Sequence, residues 1–104
     1  MKVLNVETRR ELKKLTMRKL FIAYFNDNDN KGFSQNKLAK DLYFKMGLKN
    51  QCSARVMVTR VLKDLEENGY AYCQEKEYRN LLNTKVWYLT DKGLNYYIDN
   101  LIDL

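Results

Sequence analysis

Apolar residues between Ser53 and Asn68 repeat at the spacing of an amphipathic helix. At about 100° per residue one side of this helix collects Ala54, Val58, Val61, Leu62 and Leu65. The opposite side collects Val56, Thr59, Arg60, Lys63 and Glu67. We expect Ser53 to cap the start of the helix and Asn68-Gly69 to end it. The pattern predicts a helix with an apolar face for the core and a basic face toward solvent.

Two strand-like segments follow this helix directly. Residues 70–73 and 85–89 are rich in aromatic and β-branched side chains, which favour strands. The polar segment 75–84 between them is predicted to be a turn, in which Leu81 and Leu82 are unusual apolar residues. The sequence therefore predicts a β-hairpin immediately after the basic helix.

Two further helices are predicted before it and one after it. The first has a capping-box pattern at Thr8 and Glu11 and ends near Asn26. Its apolar positions are Leu12, Leu15, Leu20, Ala23 and Tyr24. The second begins at Ser34 and ends at Gly47, with Leu38, Ala39, Leu42 and Tyr43 as its apolar stripe. The last runs from Thr90 to Leu104 with Leu94, Tyr97, Ile98, Leu101 and Ile102 as its stripe.

Length and composition predict one globular domain over residues 1–104, with residues 1–7 as an N-terminal extension. Nineteen Lys and Arg against thirteen Asp and Glu give a net charge of +6. A basic surplus of this size favours polyanionic partners. No apolar run is long enough to cross a bilayer and no signal peptide is evident, so we expect a cytoplasmic protein without a membrane partner.

The residue types leave little room for catalysis or metal binding. There is no His, and Cys52 and Cys73 have no metal-ligand spacing. We expect both cysteines to be buried or partly buried thiols. A disulfide between them is the alternative. No phosphate-binding loop or nucleophile motif is present. The sequence thus predicts a non-enzyme with no metal, no cofactor and no evident small-molecule ligand.

Two motifs carry a resemblance to a known family. Residues 85–93, K-V-W-Y-L-T-D-K-G, are similar to the second wing strand and following helix of MarR- and PadR-like winged helix-turn-helix regulators. Residues 62–70, L-K-D-L-E-E-N-G-Y, resemble the exit of their recognition helix into the wing. The resemblance covers residues 8–104 and extends to small winged-helix proteins of archaeal viruses and plasmids. It implies an α+β fold with a three-helix core, a two-stranded wing and a C-terminal helix.

What this resemblance implies is sequence-specific binding of double-stranded DNA and transcription regulation, in the host cytoplasm if the source is viral. A recognition helix reads base edges from the major groove. The candidate base-reading residues, with Lys63 nearer the backbone, are Ser53, Arg55, Val56, Thr59, Arg60 and Lys63. The candidate phosphate contacts are Gln35, Asn36 and Lys37 at the start of the second helix and Lys76 and Arg79 in the wing. The basic face of the first helix is expected to be solvated.

Surplus apolar residues at the two ends of the chain predict a homodimer. The candidate dimer contacts are Val3, Leu4, Val6, Ile98, Leu101, Ile102 and Leu104. A two-fold dimer would bind a near-palindromic site. Two alternatives stay open: a winged-helix module for protein contact, using Leu81, Leu82 and the C-terminal stripe, and a non-specific nucleic-acid binder in replication or packaging.

Overall fold

The structure, a computed structural model, describes the backbone of residues 6–78 and 81–100 and the side chains of residues 8–75 and 85–100. Its elements, in chain order, are α1 (Val6–Asp27), α2 (Gln35–Leu42), α3 (Gln51–Glu67), β1 (Ala71–Tyr78), β2 (Leu81–Leu89) and α4 (Asp91–Asn100). The two strands form an antiparallel hairpin. The expected α+β class is therefore confirmed.

The core lies between α3, α2 and the C-terminal half of α1. All five residues predicted for the apolar face of α3, from Ala54 to Leu65, are buried. They meet Phe21, Ile22 and Phe25 of α1 and three buried residues of α2. The predicted apolar face of α3 is thus confirmed. Such a pattern is informative because burying one apolar face stabilises a helix far more than its local propensity does.

The hairpin is longer than the sequence indicated. β1 and β2 pair from Ala71 opposite Leu89 to Tyr78 opposite Leu81, with a register shift between Lys76 and Tyr78. The prediction of a turn over residues 75–84 is wrong, since residues 75–78 belong to β1 and residues 81–84 to β2. Residues 79 and 80 lie outside the described part of the chain. Cross-strand backbone pairing tolerates this polar composition.

The polar run between α1 and α2 is attached to the open side of β2. Phe33 exchanges backbone hydrogen bonds with Trp87, at 3.1 and 2.8 Å. Asn30 accepts from the Leu89 N–H (2.8 Å) and donates to the Leu89 carbonyl (3.2 Å) through its side chain. Gly32, at φ 96°, packs so close to Tyr88 that a Cβ atom would overlap the ring. The run thus extends the hairpin by a short third segment.

The junction between the hairpin and α4 closes the fold on the end of α3. Thr90 accepts from the Gly93 N–H (3.2 Å) and donates to the Gly69 carbonyl (2.5 Å) through its hydroxyl. Gly93 is buried, and a Cβ atom there would overlap the carbonyl oxygen of Tyr70. The predicted start of the last helix at Thr90 agrees with this arrangement, and residues 101–104 lie outside the described part of the chain.

Two predicted helix caps are wrong. α1 already includes Val6, so Thr8 lies inside the helix instead of capping it. The N-cap of α3 is Asn50, whose side chain accepts from the Ser53 N–H at 2.9 Å, so Ser53 lies in the first turn. Either Asn or Ser can cap a helix, and the sequence placed two candidates three residues apart. By contrast, Ser34 caps α2 as predicted, accepting from the Lys37 N–H.

Three apolar positions expected to be covered are exposed. Leu12 and Leu15 are 48% and 40% exposed, because the N-terminal half of α1 extends past the elements that cover its C-terminal half. Cys52 is exposed because α3 begins one residue before it and turns it outward. Cys73 is partly buried, as predicted, and burial raises the pKa of its thiol.

Candidate nucleic-acid interface

The outward face of α3 carries the predicted base-reading side chains. All six of them, Ser53, Arg55, Val56, Thr59, Arg60 and Lys63, are exposed. Val56 is 60% exposed among these polar and charged side chains. This face therefore combines three cations with one accessible apolar side chain, which are the side-chain types that contact base edges and thymine methyl groups.

Thr59 joins this face to the start of α2. Its hydroxyl donates to the Arg55 carbonyl at 3.0 Å and accepts from the Gln35 side-chain amide at 3.2 Å. The single proton of the hydroxyl is thus donated inside the protein, and one of its two acceptor positions is used. The predicted base-reading residue Thr59 and the predicted phosphate contact Gln35 therefore lie side by side, and the Thr59 methyl and one acceptor position of its hydroxyl are left for an outside partner.

The first turn of α2 carries backbone N–H groups and the cation Lys37, which is paired within the protein. Ser34 satisfies the Lys37 N–H, while Gln35 and Asn36 precede it in the same turn. The Lys37 ammonium pairs with Asp41 at 3.1 Å. Burial acts to raise the pKa of Asp41, but hydrogen bonds from Tyr24 and Lys37 outweigh burial, and the pKa lies below its ordinary value. Asp41 therefore stays ionised and offsets part of the Lys37 charge.

A cleft between α1 and α3 brings together cations that the sequence did not connect. This α1–α3 cleft has a volume of about 460 Å³. Its walls and floor are formed by Arg10, Lys13, Lys14, Met17, Met57, Arg60, Val61 and Asp64. The expectation that the basic face of α1 is merely solvated does not foresee its closeness to Arg60. The spacing of positions 10, 13, 14 and 17 puts them on one helical face, which is the signal that could have found it.

Asp64, the acidic residue of the cleft, is held by Arg18. The Arg18 guanidinium donates two hydrogen bonds to the Asp64 carboxylate, at 3.1 and 3.0 Å. The hydrogen bond to Asp64 also raises the pKa of Arg18. Arg18 further lies 5.6 Å from the ring centroid of Tyr70, whose ring also has the Lys92 ammonium at 4.9 Å. Asp64 is therefore neutralised within the fold.

The described side chains of the hairpin include an aromatic pair. Tyr72 and Tyr88 stack across the strands with ring centroids 5.5 Å apart, and Tyr72 is exposed. Lys76 belongs to β1, but its side chain, like all of Arg79, lies outside the described residues. The sequence shows tyrosines in both strands, but only the cross-strand register shows that Tyr72 lies opposite Tyr88.

Most of the predicted dimer contacts lie outside the described residues. These are Val3, Leu4, Leu101, Ile102 and Leu104, together with the side chain of Val6. The remaining one, Ile98, is described and is 54% exposed on α4. An apolar side chain is therefore accessible on this helix.

The described part of the chain shows neither a metal-binding cluster nor a membrane-spanning helix. Within it no cluster of three or more His, Cys, Asp or Glu side chains could hold a metal ion. No helix among the same residues is long and apolar enough to cross a bilayer. Comparisons of the chain with protein-family models, curated proteins and solved structures gave no match. The geometry and chemistry of the exposed surfaces therefore carry the functional argument.

Proposed function

We propose that this protein is a winged helix-turn-helix DNA-binding protein that acts as a homodimeric transcription regulator in the cytoplasm. In this proposal α2 and α3 form the helix-turn-helix, α3 enters the major groove, and the hairpin is the wing. The order of helices and strands supports it, as does Phe33, which adds a short third segment to the hairpin from between α1 and α2.

The observation that carries the proposal is the contact between Gln35 and Thr59. It holds the start of α2 against the outward face of α3 at 3.2 Å. In a helix-turn-helix the first helix meets the sugar–phosphate backbone where the second enters the groove. One surface thus presents the α2 start for phosphates and the α3 side chains for bases.

The side chains on α3 fit distinct base contacts. Arg55 and Arg60 can each donate two hydrogen bonds to a guanine, which discriminates between bases by about 1–3 kcal/mol. Val56 and the Thr59 methyl suit thymine methyl groups, since the one proton of the Thr59 hydroxyl is already donated to the Arg55 carbonyl. We propose that specificity rests on these four residues and that Ser53 and Lys63 assist at the two ends of the face.

Selection of bound duplexes from a random pool, at low and at moderate salt, tests the proposal. We expect enrichment of a near-palindromic sequence that persists at moderate salt, with half-sites about 34 Å apart for a two-fold dimer. Binding without enrichment that disappears as salt rises would instead identify a non-specific binder. No binding at either salt would refute DNA binding and direct attention to a protein partner.

Variants of α3 test which residues read the bases. Arg55→Ala and Arg60→Ala are each expected to weaken binding to the selected duplex by about 1–3 kcal/mol and to relax the preference at one base pair. Lys19→Ala on α1 is the control, because Lys19 is exposed on the opposite side of α1 from the residues that line the α1–α3 cleft. Circular dichroism of each variant establishes that the fold is intact.

A further inference from the structure

The cleft between α1 and α3 remains without a role in the function proposed so far. We propose that the α1–α3 cleft holds one sugar–phosphate strand of the bound duplex, so that Arg10, Lys13 and Lys14 extend the DNA interface onto α1. This inference rests on the proposed DNA binding. It assigns α1 a direct contact, whereas the sequence pattern gave its basic face to solvent.

Charge selects an anionic occupant for the cleft. Besides the proposed base-reading residue Arg60, three of its eight lining residues are Arg or Lys, and the acidic residue among them, Asp64, is paired with Arg18. Placing these cations around one concave surface costs electrostatic free energy in the absence of counterions. A phosphodiester chain relieves that repulsion and releases the condensed counterions on both sides, which favours association at low salt.

The position of the cleft beside α3 favours DNA as the anion that occupies it. One flank of α3 touches the start of α2 through Thr59, and the other flank, through Met57 and Val61, forms the floor of the cleft. A helix with its side chains is about 10–12 Å across, close to the width of the major groove at about 12 Å. Both flanks of an inserted α3 therefore face a groove wall, and each wall is a phosphate strand.

The shape and lining of the cleft fit a sugar–phosphate strand. Met17, Met57 and Val61 give it an apolar floor, against which the carbon face of a deoxyribose can pack. The cations of α1 stand on the exposed N-terminal half of that helix, where side chains from Arg9 to Thr16 are all exposed. A helix is stiff enough to hold these cations over the groove wall, which reduces the entropy cost of binding.

Single-charge variants of α1 test the inference through the salt dependence of binding. Arg10→Gln, Lys13→Gln and Lys14→Gln are each compared with Lys19→Gln, which removes the same charge from the opposite side of the helix. Each cleft variant is expected to bind the selected duplex several-fold more weakly. The slope of log K against log salt is expected to fall by about 0.9 for each phosphate that the variant no longer neutralises. Base preference should not change, because phosphate contacts carry no sequence information.

A competition experiment separates DNA from a small anion as the occupant. The amphipathic fluorophore 8-anilinonaphthalene-1-sulfonate is used as the probe of the cleft, and Met57→Gln identifies the fluorescence that comes from its floor. We expect the selected duplex to displace this fraction of the probe. Simultaneous binding of probe and duplex would overturn the inference and leave the cleft as a small-anion site.

The two proposals fail in different ways. If the wild-type chain binds no duplex, the proposed function is wrong and the α1 variants are not needed to show it. If the wild-type chain binds a selected duplex and the three cleft variants behave like Lys19→Gln in affinity and salt slope, DNA binding stands and the α1 contact is refuted.

Discussion

At the scale of single residues, Asn30 has a structural role that its place in a polar loop segment does not indicate. It lies in the left-handed region at φ 48° and makes two hydrogen bonds to the backbone of Leu89. We expect Asn30→Ala to lower the free energy of unfolding by roughly 1–3 kcal/mol, because both hydrogen bonds are removed and alanine tolerates this conformation less well. Urea unfolding measures the change.

The companion variant Asn30→Gly separates the two causes. Glycine adopts positive φ without strain but lacks the amide, so its loss of stability reports the hydrogen bonds alone. Equal stability of Asn30→Gly and wild type would contradict a stabilising role for the side chain. A difference between the alanine and glycine variants measures the conformational part.

Asp41 makes stability depend on acid pH. Its pKa is lowered in the folded protein from an ordinary value of 3.8, through Tyr24 and Lys37 and against the effect of burial. A lowered folded pKa contributes stability that is present above the unfolded pKa and is lost as pH falls through the folded pKa. We expect Asp41→Asn to lose less stability than wild type as pH falls from about 5 to about 2. Urea unfolding at a series of pH values measures the difference.

Tyr24→Phe is the control for the origin of that dependence. It keeps the ring but removes the hydroxyl that donates to Asp41, so the folded pKa of Asp41 should rise toward its ordinary value. The acid limb of this variant should lie between those of wild type and Asp41→Asn. An unchanged acid limb would show that Lys37 and Lys40, and not Tyr24, keep the Asp41 pKa low.

Local contacts could be predicted from the sequence, and distant ones could not. Ser34 was identified as a cap because a cap bonds within three residues of itself. The pairs Arg18–Asp64 and Asn30–Leu89 are separated by 46 and 59 residues, and no periodicity in the chain specifies them. For the same reason the cations of the α1–α3 cleft were seen singly and not as one group.

At the scale of elements, the junction between the hairpin and α4 depends on a glycine. Gly93 is buried with the Tyr70 carbonyl against its Cα, so a methyl group must push α4 away from the end of α3. We expect Gly93→Ala to lower the free energy of unfolding by about 1–3 kcal/mol although alanine favours helix. Thermal unfolding measures it, with Asn95→Ala, at an exposed position of α4, as the control that should be near neutral.

The pairing of α1 with α3 can be measured as a coupling. Arg18 and Asp64 form a two-bond ion pair that is mostly shielded from solvent, at 16% and 24% side-chain exposure. A double-mutant cycle with Arg18→Met and Asp64→Asn should give a coupling free energy of about 1–2 kcal/mol, since hydrogen bonds between charged groups exceed neutral ones. Additive effects would mean that each residue acts through other neighbours, such as Tyr70 for Arg18.

A helix or strand could be predicted from the sequence where burial of one face imposes a regular pattern of apolar residues. α3 was predicted correctly on both faces because one side is buried along its whole length. The apolar face of α1 was not, because the fully buried residues of its covered half are Phe21, Ile22 and Phe25, which lie on a different side of the helix from the predicted stripe. Leu12 and Leu15 belong to that stripe and stay exposed. The length of the hairpin was underestimated because most of the residues in its outer part are polar. Backbone pairing joins the strands there, and such pairing leaves no pattern in the side chains.

At the scale of the whole molecule, the proposed homodimer predicts concentration-dependent association. Ile98 is the exposed described member of the predicted dimer surface. We expect sedimentation to show a dimer in the wild-type chain and Ile98→Glu to shift the equilibrium toward monomer, because a charge would be buried at the interface. Asp99→Gln, a change at the exposed neighbouring position, is the control. A monomer at every concentration would refute the dimer but not DNA binding.

The attachment of residues 30–33 to β2 also has a topological consequence. It joins points of the chain 59 residues apart, and all of α2 and α3 lies inside the loop so closed. Closing a loop of this length costs chain entropy, so we expect the attachment to form only once the enclosed helices are packed. We therefore expect α2 and α3, the two helices proposed to contact DNA, to exchange their amide hydrogens as one cooperative unit. Both helices would become open to exchange whenever the attachment of residues 30–33 to β2 breaks.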